Sequence, residues 1–171
     1  FFAGLLFCYL DWRGLLVAFF LSLLCYWAFL SFVPLPGHDS ISWAEGENWA
    51  CWIDAQYLPG HKHYDTYDPE GLLSTIPAIG TCLLGVLSGF AIKSNRYHPR
   101  NKTLGFFVVG AALLFVGYLW GYQCPIIKKI WTPSYVCVAG GYSIFLLGIF
   151  YYVVDVLEIR WWTAPFIWIG V

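Results

Sequence analysis

Four stretches of this chain, 15–33, 72–92, 103–121 and 134–154, contain no Asp, Glu, Lys, Arg or His, and each is 19 to 21 residues long. A helix of that length covers the roughly 30 Å of hydrocarbon in a bilayer. The rest of the 171-residue sequence agrees: 60% of residues are hydrophobic, only 11% are charged, and mean hydropathy is +0.66. A soluble domain carries about a quarter charged residues. The expected fold is therefore an all-α integral membrane protein, a polytopic helix bundle forming one transmembrane domain over 1–171. Two more apolar pieces, 1–10 and 163–171, are too short to span and read as partial helices at the chain ends. The sequence has no Met at all, so a portion of a longer product is expected, and the start lacks the basic n-region of a signal peptide.

Threading the four spans alternately separates the basic residues. Arg13, Lys93, Arg96, Arg100, Lys102 and Arg160 fall on one side, and Lys62, Lys128 and Lys129 on the other. The positive-inside rule makes 11–14, 93–102 and 155–162 cytoplasmic and the loops 34–71 and 122–133 periplasmic or luminal. The outer loop then holds Asp39, Glu45, Glu47, Asp54, Asp65 and Asp68. A formal net charge of −1 excludes a basic nucleic-acid binder. Cys8, Cys25, Cys82 and Cys137 lie in apolar segments as small hydrophobes, whereas Cys51 and Cys124 share the outer side, which leaves a bridge between them open.

Chemistry concentrates where the long outer loop meets the second span. Asp68 followed by Pro69 reads as a helix start, with Glu70 placing negative charge in the first turn. Pro77 is then expected to kink that helix. Thr132 with Pro133 repeats the start signal, so two helix N-termini near Lys128 and Lys129 can form an anion site, or the lysines can simply anchor at headgroups. His61, His63, Asp65, Asp68 and Glu70 are competent acid–base groups, but their spacing matches no metal motif, and no metal is expected. Trp49, Trp52, Ile53 and Tyr57 recur at helical spacing and predict a short helix inside the loop. The pairs Gly85 with Gly89 and Gly117 with Gly121 have the spacing of close helix contacts.

Several short strings in order resemble the transmembrane acyltransferase family of heparan-alpha-glucosaminide N-acetyltransferase and its bacterial relatives. They are FVPLPG at 32–37, LPGH at 58–61, YDPEGLLST at 67–75, Lys128 with WTPSY at 131–135, and APF at 164–166 before Gly170. The resemblance implies a polytopic enzyme that moves acetyl from acetyl-CoA, as co-substrate, to an amino sugar. It marks Asp68, Glu70, Lys128, Trp131, His61 and His63 as the wall of a substrate site. Two departures stand against that. The family's catalytic histidine belongs to an early transmembrane region that precedes the part matching Phe1, and the family has Asn where Ile127 stands.

These departures leave a second reading open, a non-catalytic integral subunit of a larger respiratory or photosynthetic membrane complex. Expected partners are the lipid bilayer together with further N-terminal helices or other integral subunits, and no nucleic acid. A transporter is disfavoured because no ionisable residue of the usual relay types lies inside a complete span.

Overall fold

The computed structural model describes residues 2–37, 40–62, 67–69 and 71–164, apart from the side chains of Phe2 and Leu5. They form α1 (Phe2–Tyr9), α2 (Trp12–Phe32), α3 (Trp49–Tyr57), α4 (Thr75–Lys93), α5 (Pro99–Trp120) and α6 (Pro133–Tyr151), the last running on into a π-helical turn, Tyr152–Val156. The expected all-α class holds. Helices α2, α4, α5 and α6, the last taken through Val156, are each long and apolar enough to cross a membrane. Helix α1 falls within the apolar piece 1–10, while most of the piece 163–171 lies outside the described residues.

Local chemistry sets the helix starts. The Asp11 carboxylate accepts from Gly14 N at 2.9 Å and begins α2. His98 takes the same position before α5, and Pro99 and Pro133 occupy the first turns of α5 and α6, where no N–H is needed. Along α2 the buried residues Leu15, Phe19, Leu23, Tyr26 and Leu30 recur every three or four positions, which gives one helix face. Leu15, Phe19 and Leu23 meet Leu83 of α4 and Val136 and Cys137 of α6 in the core.

Glycine sets the tightest seam, but not at the predicted pairs. A Cβ on Gly110 would lie 3.0 Å from Gly141 O, one on Gly141 2.9 Å from Gly110 O, and one on Gly117 2.9 Å from Val138 N. Gly148 sits against Phe106 and Phe107. Helices α5 and α6 therefore touch backbone to backbone, the contact by which membrane helices associate when lipid offers no hydrophobic drive. Of the expected glycine pairs, Gly117 joins this seam, Gly121 caps the end of α5, and Gly85 and Gly89 face open space.

The described parts of the connection between α2 and α4 and the connection 121–132 lie at one end of the bundle and are tied to it there. Tyr26 of α2 donates to Ile130 O at 2.5 Å, and Trp131 Nε1 donates to Thr81 Oγ1 of α4 at 3.0 Å. At the opposite end Lys102 Nζ donates to Ile92 O at 2.7 Å and sits over the Tyr151 ring, covering a carbonyl near the C-terminus of α4.

Candidate functional site

Helix α3 organises the loop end. Asn48 is buried before its first turn; its Oδ1 accepts from Cys51 N at 3.0 Å and its Nδ2 donates to Ala44 O at 2.8 Å. That pair of bonds fixes residues 44–51 as one unit. Trp49 Nε1 donates to Val33 O at 2.8 Å, and the rings of Phe29, Trp49, Trp52 and Tyr57 follow one another at 5.2 to 6.3 Å. The predicted short helix is present, and its aromatics pack it onto the end of α2.

From the second turn of α3 the Asp54 carboxylate, 2% exposed, accepts from Leu72 N at 2.9 Å and from the backbone of Asp68. Burial raises its pKa above the ordinary carboxylate value, and the two backbone donors oppose that shift. Gly71 makes room for it: a Cβ there would stand 1.9 Å from Asp54 Oδ2.

The segment read as a helix start is therefore a turn. Asp68 O accepts from Gly71 N at 3.1 Å, Ser74 Oγ donates to Gly71 O at 3.0 Å, and α4 begins only at Thr75. One backbone donor of this turn, Leu72 N, is met by the Asp54 carboxylate from α3. Pro77 consequently lies in the first turn of α4, where backbone N–H groups have no helical partner, so no kink is required. Glu70, His63 and Asp65 lie outside the described residues.

The second loop folds on itself. Thr132 Oγ1 accepts from Ile127 N at 3.0 Å, and Thr132 N donates to Ile127 O at 3.2 Å. Helix α6 starts where the Thr–Pro spacing predicts, but the Thr132 hydroxyl faces back into the loop rather than capping the helix. Trp131 adopts φ 54°, a region that a bulky residue enters only when its surroundings impose it; its indole is held by Thr81 and by the Tyr135 ring at 5.4 Å.

Between the two loops lies a cavity of about 190 Å³ lined by Trp43, Glu45, Asn48, Cys51, Tyr67 and Lys129, with Ile127 and Ile130 as apolar wall. Lys129 Nζ donates to both Glu45 oxygens, at 2.9 and 2.8 Å, and the buried Tyr67 hydroxyl donates to Glu45 Oε1. The Lys129 bond holds the Glu45 carboxyl below its usual pKa. Burial, and then the bond to Glu45, push Tyr67 up to about 12. At neutral pH the cluster is therefore a carboxylate held between a phenol and an ammonium, and Tyr67 serves as a donor rather than a base. Cys51 and Cys124 are both buried free thiols, and burial raises the pKa of each.

The cavity is formed by the same two loops that carry His61, Asp68, Lys128 and Trp131. Among the described residues, Asp68, Lys128, Trp131 and His61 are not part of the cavity lining. Lys128 and His61 are exposed, Asp68 is half-buried at the turn, and Trp131 is half-buried against Thr81. Lys129, the neighbour of the marked lysine, does the bridging, to a glutamate 84 residues away. Tyr67 was inside a recognised string, whereas nothing in local spacing singled out Trp43, Glu45 or Asn48. Among the described residues no group of three or more His, Cys, Asp or Glu could hold a metal ion.

Comparison with known proteins gives a partial relationship. Heparan-alpha-glucosaminide N-acetyltransferase of Homo sapiens is 32% identical over 111 residues, covering 61% of this chain and 16% of that protein. The Mus musculus protein of the same name is 34% identical over 115 residues, covering 61% of this chain and 17% of its own length. The match thus spans about a sixth of the length of these curated relatives. No family model matches. The chain is a polytopic helical membrane protein that, over about three fifths of its length, is similar to heparan-alpha-glucosaminide N-acetyltransferase.

Proposed function

We propose that this chain is part of a membrane acyltransferase that moves acetyl from acetyl-CoA to an amino sugar, and that its loop end forms one wall of the acyl-donor and acceptor site. The observation that carries the reading is the 32–34% identity to two acetyltransferases. It is supported by the loop end itself, where a cavity with an apolar wall and a Glu45–Lys129 ion pair is built on fixed hydrogen bonds. The wall takes in Asp68, Glu70, Lys128, Trp131, His61 and His63. Trp131 and Asp68 set the loop geometry, and exposed Lys128 supplies positive charge for an anionic co-substrate. The loop end faces the periplasm or lumen, because six of the nine Lys and Arg residues lie toward the other end.

The test is acetyl transfer to glucosamine by the protein purified from its native membrane. Activity from acetyl-CoA that falls at least tenfold in Lys128→Ala and Asp68→Ala supports the reading. Absence of acetyl-CoA binding, with stoichiometric co-purification of other integral subunits, overturns it in favour of a non-catalytic membrane subunit.

A further inference from the structure

The cavity between the two loops has the size and wall chemistry of a one-ring ligand. At about 190 Å³ it falls below the roughly 300–1,000 Å³ of pockets that enclose drug-sized molecules, so an entire coenzyme A does not fit inside. Its walls combine Trp43 and Tyr67 with Ile127 and Ile130, apolar surfaces suited to the C–H face of a saturated ring, since an aromatic face is electron-rich. Its polar group is a carboxylate with capacity to spare. Glu45 Oε1 accepts from Lys129 and Tyr67, and among the described residues Oε2 accepts from Lys129 alone. A carboxylate has about four acceptor sites, so Oε2 retains one.

The Asn48 and Lys129 side chains already have partners. The Asn48 amide is engaged on Ala44 and Cys51, and the Lys129 charge is met by both Glu45 oxygens. An anionic ligand would face a fixed carboxylate and would have to displace the ion pair. A neutral or cationic polyol meets no such repulsion, and a primary ammonium supplies the charge-assisted bond that Oε2 can still accept.

We propose that this cavity is the subsite for the amino-sugar ring of the acceptor, with the sugar ammonium donating to Glu45 and the ring lying against Trp43. The assignment rests on the acetyl-transfer reading for its ligand class. It places ring recognition on Glu45 and Trp43 rather than on His61.

Equilibrium binding to the purified protein, without turnover, tests it with three probes: glucosamine, glucose and acetyl-CoA. Wild type should bind glucosamine at least tenfold more tightly than glucose. Glu45→Gln, a change at a solvent-facing side chain, should erase that preference, and Trp43→Ala should weaken both sugars at least tenfold. Acetyl-CoA affinity should stay within twofold in both variants, as it should in the control Gly85→Ala, whose new methyl meets open space. Glucosamine affinity and preference that survive in Glu45→Gln overturn the proposal, as does failure of wild type to bind glucosamine. Acetyl transfer with both variants unaffected removes the cavity assignment and keeps the enzyme. Sugar binding lost in Glu45→Gln, in a protein that transfers no acetyl group, removes the enzyme and keeps the subsite.

Discussion

Replacing Gly71 with Ala tests the carboxylate tie between α3 and the turn before α4. The new Cβ would lie 1.9 Å from Asp54 Oδ2 and 2.4 Å from both Cγ and Oδ1. No adjustment of the methyl avoids that overlap, so the carboxylate must withdraw. It then gives up the bond from Leu72 N at 2.9 Å and the one from the backbone of Asp68, while remaining at a site that is 2% exposed. Hydrogen bonds to a charged group contribute about 1.5–3 kcal/mol each, which puts the loss at about 3–6 kcal/mol. Backbone strain adds nothing, because Gly71 is not among the glycines with positive φ.

The assay is denaturant unfolding of the purified protein in micelles, followed by tryptophan fluorescence, as a double-mutant cycle with Asp54→Ala. In the Asp54→Ala background the same glycine change should cost under about 1 kcal/mol, because the atoms it struck are gone. An equal loss in both backgrounds would refute the reasoning and show that Gly71 is needed for something other than the carboxylate.

Three further outcomes follow from the geometry. Gly141→Leu should separate α5 from α6 and lower the melting temperature sharply, whereas Gly85→Leu should leave it nearly unchanged; the pair is compared by thermal unfolding. Tyr26→Phe leaves Ile130 O without its buried donor and should lose about 1–3 kcal/mol in the same assay, with no change in helix content by circular dichroism. The pH profiles of two acids should differ in sign. Glu45, with its pKa lowered, contributes stability that is present above its unfolded value of about 4.3 and lost as pH falls through the lower folded value, so Glu45→Gln flattens the acid side. Asp54, with its pKa raised, contributes most below its unfolded value of about 3.9 and loses that contribution as pH rises through the folded value. Melting curves for Asp54→Asn should therefore fall less with rising pH than those of the wild type.

The helices were legible because absence of charge over a membrane's width is a long-range signal that no loop imitates. Helix α3 was legible for a related reason: its aromatics recur at the spacing of one helical face. Local signals failed where a distant group supplied the chemistry. Asp68 and Pro69 have the form of a helix start, yet α4 begins only at Thr75, and Asp54, fourteen positions before Asp68, accepts from Leu72 N where Gly71 gives it room. The small-residue pairs failed because contact between α5 and α6 uses glycines seven apart, two turns, rather than four. The cavity was the least visible feature, since its charged partners come from loops on opposite sides of α4 and α5 in the chain.

The Glu45–Lys129 bridge, spanning 84 residues, also fixes when the cavity can exist. A ribosome adds about 5–20 residues per second, so Glu45 waits several seconds for its partner to be made at all. Until α5 has entered the bilayer and the chain has turned back, the Glu45 carboxylate lacks the ammonium that holds both of its oxygens. Tyr26, whose carbonyl partner is 104 residues downstream, waits within α2 for the same loop. Assembly of the site is therefore a late event of biogenesis, and a truncation before residue 129 would yield inserted helices without a cavity.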